Sequence, residues 1–510
     1  MSPNRPLSSL LGELEVLSSG GPEADPVVTG ISFDSRRTSR GDLFVAFRGL
    51  RQDGHAFIDE AVSRGAVAVL CERRLSRPDI PWAQVRNGRQ ALSAVSASFY
   101  RHPSRRLQVI GVTGTNGKTT TTFMLSSLLE RKGAKTGIMG TLCQKIDGEY
   151  APSSITTPDA PDIHGALATM VERGVTHVCM EVSSHALELA RVDHVRFDAA
   201  ALTNMSPDHY DFHGSWRDYV RAKARLFEIL GPDAVAVVNV DDANWRQVAG
   251  RTSARLIRAG LRNADVDVLA DKVETSGGAS FELALLRPLP KRGGGAVGPL
   301  RVPIRLRIPG AHNVYNALLA GTLALLYGVP AKEVQRGLAA FKGVRRRMEV
   351  VYDGEFRVID DFAHNPASFE AVLEAIAEQN PARLIIVVAI RGNRGPEINA
   401  VNARALAKWA SCIPASEVIV TSSSDAVGAK DRVTLAEKES FLAGLERAGV
   451  PYEFHPRLTT AISRAIDLAR RHDTVLLLGA QGMDRAEACL RDALRGPMRQ
   501  GCRRQHQPQL

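Results

Sequence analysis

Apolar residues along the chain fall into two rhythms, short apolar runs and longer stretches with an apolar residue every third or fourth position. "LQVIGVTG" (107–114) alternates as a strand does and runs into a glycine-rich turn, while "THVCMEV" (176–182) and "DAAALTN" (198–204) read as buried strands. "TTTTFMLSSLLERKG" carries Phe123, Met124, Leu128 and Leu129 at helical spacing, which predicts a helix that stops at Gly133. Strands alternating with helices predict a parallel sheet with crossover helices. Ahead of it, "DLFVAF" (42–47) and "AVAVLCE" (66–72) are shorter strands separated by helical stretches. "KRGGGAVGPL" (291–300) predicts a flexible hairpin loop, and "GVRRRMEVVYDGEF" (343–356) marks a boundary. Beyond it "RLIIVVAI" (383–390), "EVIVTSS" (417–423) and "TVLLLGA" (474–480) predict a second, smaller doubly wound sheet. The expectation is an α/β chain of three domains, 1–107, 108–345 and 346–492, followed by a polar, disordered tail at 493–510.

Composition agrees with several cores, since 510 residues are too many for one. Apolar runs such as "LIIVVAI" (384–390) are too short to cross a membrane, so no membrane partner is expected. Glu13 and Glu15 interrupt the only apolar patch of the N-terminus, unlike a secretory signal. Six scattered cysteines without a C-x-x-C pair fit reduced thiols in a cytoplasm. The net charge of +10 serves solubility or attracts polyanionic small substrates. Nucleic acid is not expected, because no zinc finger, aromatic RNA-binding signature or arginine-rich arm is present.

The candidate chemistry centres on "GVTGTNGKTTTTF" (111–123). Gly117, Lys118 and Thr119 complete the second half of the phosphate-loop pattern G-x-x-x-x-G-K-[ST], but its first glycine should fall at 112, which is valine. Gly114 can make the turn instead. Backbone N–H groups and the helix N-terminus would cradle phosphates, Lys118 would reach the β/γ oxygens, and Thr119 would ligate Mg²⁺. Glu181 ends a strand on the same sheet edge, where it can hold a metal or cap a helix. Ser183, Ser184 and His185 follow it and suit hydrogen bonding, and "TNMSPDHYDFHG" offers Asn204, His209 and His213 as further ligands. In "SWRDYVRAKARLFEIL", Ser215 and Asp218 resemble a capping box, and Lys223 falls in the apolar stripe of Trp216, Tyr219, Val220, Leu226, Phe227 and Leu230. A buried ammonium without a partner is costly. Lys223 either snorkels to solvent or is neutralised, or is carbamylated into an anion that binds metal.

These segments resemble the Mur ligase family, and within it the UDP-N-acetylmuramoyl-tripeptide synthetases. "TGISFDSRRTSRGDLFVAFRGLRQDGHAFI" (29–58), "GTNGKTTT", "TTPDA" (156–160), "MEVSSHALELARV" (180–192), "TNMSPDHYDFHG", "AKARLF" (222–227), "PGAHNVYNALLA" (309–320) and "DDFAHNPASFEAVL" (360–373) follow in the family's order over nearly the whole chain. The family's own loop is G-T-N-G-K-T. The resemblance implies a UDP-binding N-terminal domain, a central ATPase domain and a Rossmann-like C-terminal ligase domain, acting as a monomer. It implies an ATP-dependent ligase that adds an amino acid to UDP-N-acetylmuramoyl-L-alanyl-D-glutamate through an acyl phosphate in peptidoglycan precursor synthesis.

The resemblance also distributes the site. ATP would lie on Gly114, Thr115, Asn116, Gly117, Lys118, Thr119 and Thr120, with Asn313 near the adenine and Arg347, Asp361 and His364 closing from the third domain. One Mg²⁺ would use Thr119 and Glu181. A second would use Glu181, His209 and Lys223, the lysine carbamylated by CO₂. UDP would sit by Ser35 and His55, and the muramoyl-peptide by Thr156, Thr157, Ser184 and Arg191. The third domain departs from the family pattern. The family's D-N-P-R becomes "TSSSDAVGAKD" (421–431), with no arginine at the matching place, G-K-G-H-E becomes "GAQGMD" (479–484), and G-G-D-R-D becomes "RGNRG" (391–395). Neither diaminopimelate nor lysine is therefore the expected amine. The rivals are a ligase joining a different amine outside the main pathway and a non-catalytic nucleotide-binding homologue.

Overall fold

The computed structural model describes residues 4–495 other than 51, 78, 154, 264, 276–277 and 414–415. Three sheets organise it. The first has five strands in the order Val16–Gly20, Trp82–Val85, Ala68–Cys71, Asp42–Ala46 and Gly30–Ser32, all parallel except the first. Helix Gly88–Phe99, capped by the Asn87 side chain, covers one face with Val95 and Phe99 against Leu43, Val45 and Leu70.

The central sheet has eleven strands. Seven run parallel in the order Thr136–Met139, His177–Glu181, Gln108–Thr113, Ala199–Leu202, Val235–Asn239, Arg255–Gly260 and Val268–Glu274. Antiparallel pairs extend both edges, Cys143–Ile146 with Glu149–Pro152 on one and Ala279–Leu285 with Leu300–Leu306 on the other. The alternation read into "LQVIGVTG" is not realised. Gln108–Thr113 lies between two parallel neighbours and is buried from Val109 to Thr113, because a strand inside a parallel sheet is covered on both faces. The segment 291–300 forms a small hairpin in which Leu289–Pro290 pairs with Ala296–Val297.

The third sheet has six strands, twice the number read from the sequence. Arg357–Asp361, Thr474–Leu478, Leu384–Ala389, Glu417–Thr421 and Tyr452–His455 run parallel, and Glu349–Asp353 is an antiparallel edge. Helix Ala486–Arg495 occupies 493–495, so the expected disordered tail does not begin there, and the rest of that tail, with Cys502, lies outside the described residues. Among the described residues no helix is long and apolar enough to cross a membrane. The C-terminal ends of the central and third parallel strands face a shared cleft, where open α/β sheets present ligands.

Candidate active site

The loop after Gln108–Thr113 explains the displaced glycine. Val112 is fully buried in the strand, and the turn is made at Gly114, with φ +143°, and at Gly117, with φ +86°. A Cβ at Gly114 would lie 1.9 Å from Thr203 Oγ1, and one at Gly117 2.4 Å from Asn316 Oδ1. Only glycine fits either place. Helix Lys118–Glu130 starts at Gly117 with no side-chain cap, leaving its first N–H groups free for an anion. Lys118 Nζ meanwhile donates to the carbonyls of Gly114 and Thr115, at 2.8 Å each.

Glu181, fully buried at the end of its strand, accepts from Thr119 Oγ1 at 2.9 Å, Thr141 Oγ1 at 3.0 Å and Thr141 N at 2.9 Å. It does not cap a helix; the following helix Ser184–Glu188 is capped by the Ser183 hydroxyl. A hydroxyl beside a carboxylate at a phosphate loop is a suitable pair for Mg²⁺, which takes one or two carboxylates and fills its shell with phosphate oxygens and water.

The third domain closes this cleft. Arg347 donates to Thr119 Oγ1 at 3.3 Å and stacks on Phe362, and burial lowers its pKa. Asp361 accepts from the backbone N–H groups of Met348 and Ala363, and burial raises its pKa. His364 donates from Nδ1 to Phe362 O, and burial brings its pKa down to about 3. Asn316 accepts from Thr121 Oγ1 and donates to Asn313, which donates to Pro309 O. These side chains, with Asn116, Thr120, Thr156 and His312, line a cavity of about 250 Å³.

Lys223 stands in the apolar stripe of helix Trp216–Glu228, whose Ser215 cap accepts from Asp218 N as the sequence suggested. It is 1% exposed and does not snorkel. Its Nζ donates to Gly114 O at 2.8 Å and lies 4.8 Å from the Tyr219 ring centre. Burial, with Lys118 nearby, pushes its pKa well below the ordinary value, which favours the neutral amine. His209 packs on His185 and faces Asp208 at 3.7 Å, and burial keeps its imidazole neutral. Among the described residues neither Lys223 nor His209 bonds to Glu181, and no group of three or more His, Cys, Asp or Glu gathers where it could hold a metal. The second metal set expected from Glu181, His209 and Lys223 is therefore not assembled in this structure, because Lys223 is held by the loop carbonyl and His209 turns to Asp208.

Family models match three successive segments: a "Mur ligase family, catalytic domain" at residues 27–100, a "Mur ligase middle domain" at 112–324 and a "Mur ligase, glutamate ligase domain" at 346–481. The chain is 36% identical over 464 residues to UDP-N-acetylmuramoyl-L-alanyl-D-glutamate–2,6-diaminopimelate ligase of Halalkalibacterium halodurans, covering 90% of each chain. It belongs to the Mur ligase family. This Mur ligase is also 37% identical over 483 residues to the UDP-N-acetylmuramyl-tripeptide synthetase of a Roseiflexus species, again covering 90% of each. The solved MurF of Acinetobacter baumannii shares the fold, with a TM-score of 0.66 and 23% identity over 97% of this chain and all of that one. The class expected from the sequence, an ATP-dependent acid–amino-acid ligase, holds.

A second cavity of about 550 Å³ lies between the first sheet and the central domain of the Mur ligase, lined by Phe33, Ser35, Arg36, Arg89, Asp159 and Arg191 among others. Ser35 donates to Glu60 at 2.8 Å at its wall. His55 is not at that wall. Its Nδ1 meets Asp53 at 2.6 Å and its Nε2 accepts from Glu72 N at 3.0 Å, so both ring nitrogens are spent within the domain. Thr157 donates to Glu181 O, Arg191 donates to Thr157 O and pairs with Asp159, and Thr156 meets Thr141, while Ser184 is buried in the first turn of its helix.

Sequence reasoning missed the hub between the central and third domains. Buried Asp208 receives Asn365 Nδ2 at 3.1 Å and Arg391 NH1 at 3.2 Å, and His364 Nε2 stands 3.8 Å away. Burial alone would raise its pKa, but Arg391 and the two histidines outweigh it and hold the carboxyl far below its usual range. Asp208 sits within the quoted "TNMSPDHYDFHG", where the histidines drew attention; its partners, 157 and 183 residues away, leave no local signal.

Proposed function

We propose that this Mur ligase uses MgATP to phosphorylate the γ-carboxylate of the D-glutamate in UDP-N-acetylmuramoyl-L-alanyl-D-glutamate, and that an amino acid's amine then displaces phosphate to form the amide. The observation that carries this reading is a single cavity uniting Lys118, held on the loop carbonyls, and the obligatory Gly117 with Glu181 and with Arg347, Asp361 and His364 from another domain. Lys118 leaves the loop carbonyls for phosphate oxygens; Thr119 and Glu181 would hold Mg²⁺, which would supply positive charge against the charge developing on the phosphoryl group. Arg347 and Asp361 close over the nucleotide beside Asn313. Ser35 and its neighbours bind UDP, and Thr156, Thr157, Ser184 and Arg191 position the peptide. Lys223, whose burial in an apolar helix face lowers its pKa and favours the neutral amine, is the group CO₂ would carbamylate; its anion would be released from Gly114 O. The enzyme acts as a cytoplasmic monomer.

The third residue is not meso-diaminopimelate on this reading, although relatives carry that name. The loop after Glu417–Thr421 spends Asp425 on the N-terminus of helix Leu458–Leu468 and offers no arginine between 421 and 431. ADP release that depends on the UDP-muramoyl-dipeptide tests the proposal. Hydrolysis indifferent to that substrate would sink it.

A further inference from the structure

Arg391 follows strand Leu384–Ala389 and reaches the nucleotide cavity from the third domain. Its side chain is 9% exposed. NH1 is committed to Asp208, but the Nε–H is buried and finds no acceptor among the described residues, the one such side-chain atom in the described lining of this cavity. A buried charged donor left unmatched is costly unless a ligand completes it. The Nε side is also an edge from which a guanidinium makes paired bonds to a flat or tetrahedral oxyanion.

The loop holds this side chain still. Asn399 accepts from Arg391 N and donates to Arg391 O. The Glu437 carboxylate accepts from three successive N–H groups, those of Asn393, Arg394 and Gly395. Asp208 in turn is tied to the phosphate loop, since Asn365 bonds both Asp208 and Asn116. The segment carrying Asp208 packs on the same loop, Asn204 accepting from Asn116 N and Ser206 donating to Thr115 Oγ1. The open edge of Arg391 thus belongs to the phosphoryl end of the cavity.

We propose that Arg391 binds the phosphoryl group in transit through its Nε edge, with Asp208 as the positioning residue that fixes the guanidinium. The inference rests on the ligase reading above. A substrate carboxylate oxygen forms a bond to the γ-phosphorus while the bond from that phosphorus to the bridging oxygen breaks, its electron pair leaving on ADP. Negative charge spread over the three equatorial oxygens is what Arg391 meets.

The test is a rapid-quench measurement of ADP formed from MgATP and UDP-muramoyl-dipeptide with no amino acid present. Arg391→Lys keeps the charge and can still pair with Asp208, but lacks the Nε edge. Its ADP burst is expected to slow at least about thirtyfold, with the melting temperature, the ATP dissociation constant and the KM for the amino acid near wild type. Asp208→Asn is expected to slow it in the same direction. A normal wild-type burst with an unchanged burst in Arg391→Lys would overturn the inference and leave a domain-closing ion pair. So would an unchanged burst with a raised amino-acid KM, which would assign Arg391 to the amino acid's carboxylate. A wild-type enzyme with no substrate-dependent burst would overturn the ligase reading and this inference with it.

Discussion

Replacing Gly114 with alanine tests whether the displaced glycine is the turn of the phosphate loop. The added Cβ would stand 1.9 Å from Thr203 Oγ1 and 3.0 Å from both N and O of Asn204. Thr203 is 1% exposed and its hydroxyl donates to Asn116 O at 2.6 Å, so it moves only by giving up that bond. A non-glycine residue held at φ +143° costs about 1–3 kcal/mol, and the lost hydrogen bond about 1 kcal/mol more. The sum, about 2–4 kcal/mol, corresponds to roughly 30- to 700-fold if it falls on nucleotide binding. Calorimetric titration with MgATP reads that share, and thermal melting reads whatever falls on stability. Val112→Gly, which restores the strict motif spacing, is expected to bind no better and to melt lower, since Val112 is fully buried in the central strand. Gly114→Ala with ATP affinity within twofold of wild type and an unchanged melting temperature would refute the account of the loop.

Lys118→Ala should lose about a hundredfold or more of ATP turnover with an unchanged circular dichroism spectrum, and near-normal turnover would contradict its role. Lys223→Ala should abolish ligation, with partial recovery on adding a short carboxylic acid; an ATP-bound map showing a plain ammonium at Lys223, away from metal, would rule out the carbamate. His164 is fully buried, neither ring nitrogen has a hydrogen-bond partner among the described residues, and burial takes its pKa from 6.5 to about 3. The unfolded chain therefore binds a proton that the folded one refuses, so stability falls by about 1.4 kcal/mol per pH unit from this group as pH drops from about 6.5 towards 3. Urea unfolding at pH 7 and pH 5 should show a shallower loss in His164→Leu, and an identical loss would refute it. meso-Diaminopimelate should be used poorly, since a missing charged contact to its carboxylate costs about 1.5–3 kcal/mol, roughly tenfold to a hundredfold; robust turnover at micromolar concentration would contradict this.

The phosphate loop, the buried carboxylate Glu181 and the buried lysine were legible because each is a local anomaly: glycines before a lysine, an acid ending an apolar strand, a charge in an apolar stripe. The edges of the central sheet were not read, though Leu300–Leu306 alternates cleanly in burial. Pro303 argues against a strand, yet this strand ends the sheet, where proline is tolerated. His55 looked like a ligand contact because its neighbours fit a family pattern; only the fold shows Asp53 and Glu72 using both nitrogens. The pairing of Asp208 with Arg391 was invisible because it exists only where two domains meet.

The central claim, that this cavity activates a UDP-muramoyl-dipeptide for joining to an amine, is tested most directly by mass spectrometry. UDP-N-acetylmuramoyl-L-alanyl-D-glutamate, MgATP and a panel of amino acids would be incubated with the enzyme. The expected product is heavier by one amino acid less water, with one ADP and one phosphate per amide, and is lost in Lys118→Ala. ATP hydrolysis without any mass increment, whatever amine is offered, would contradict it.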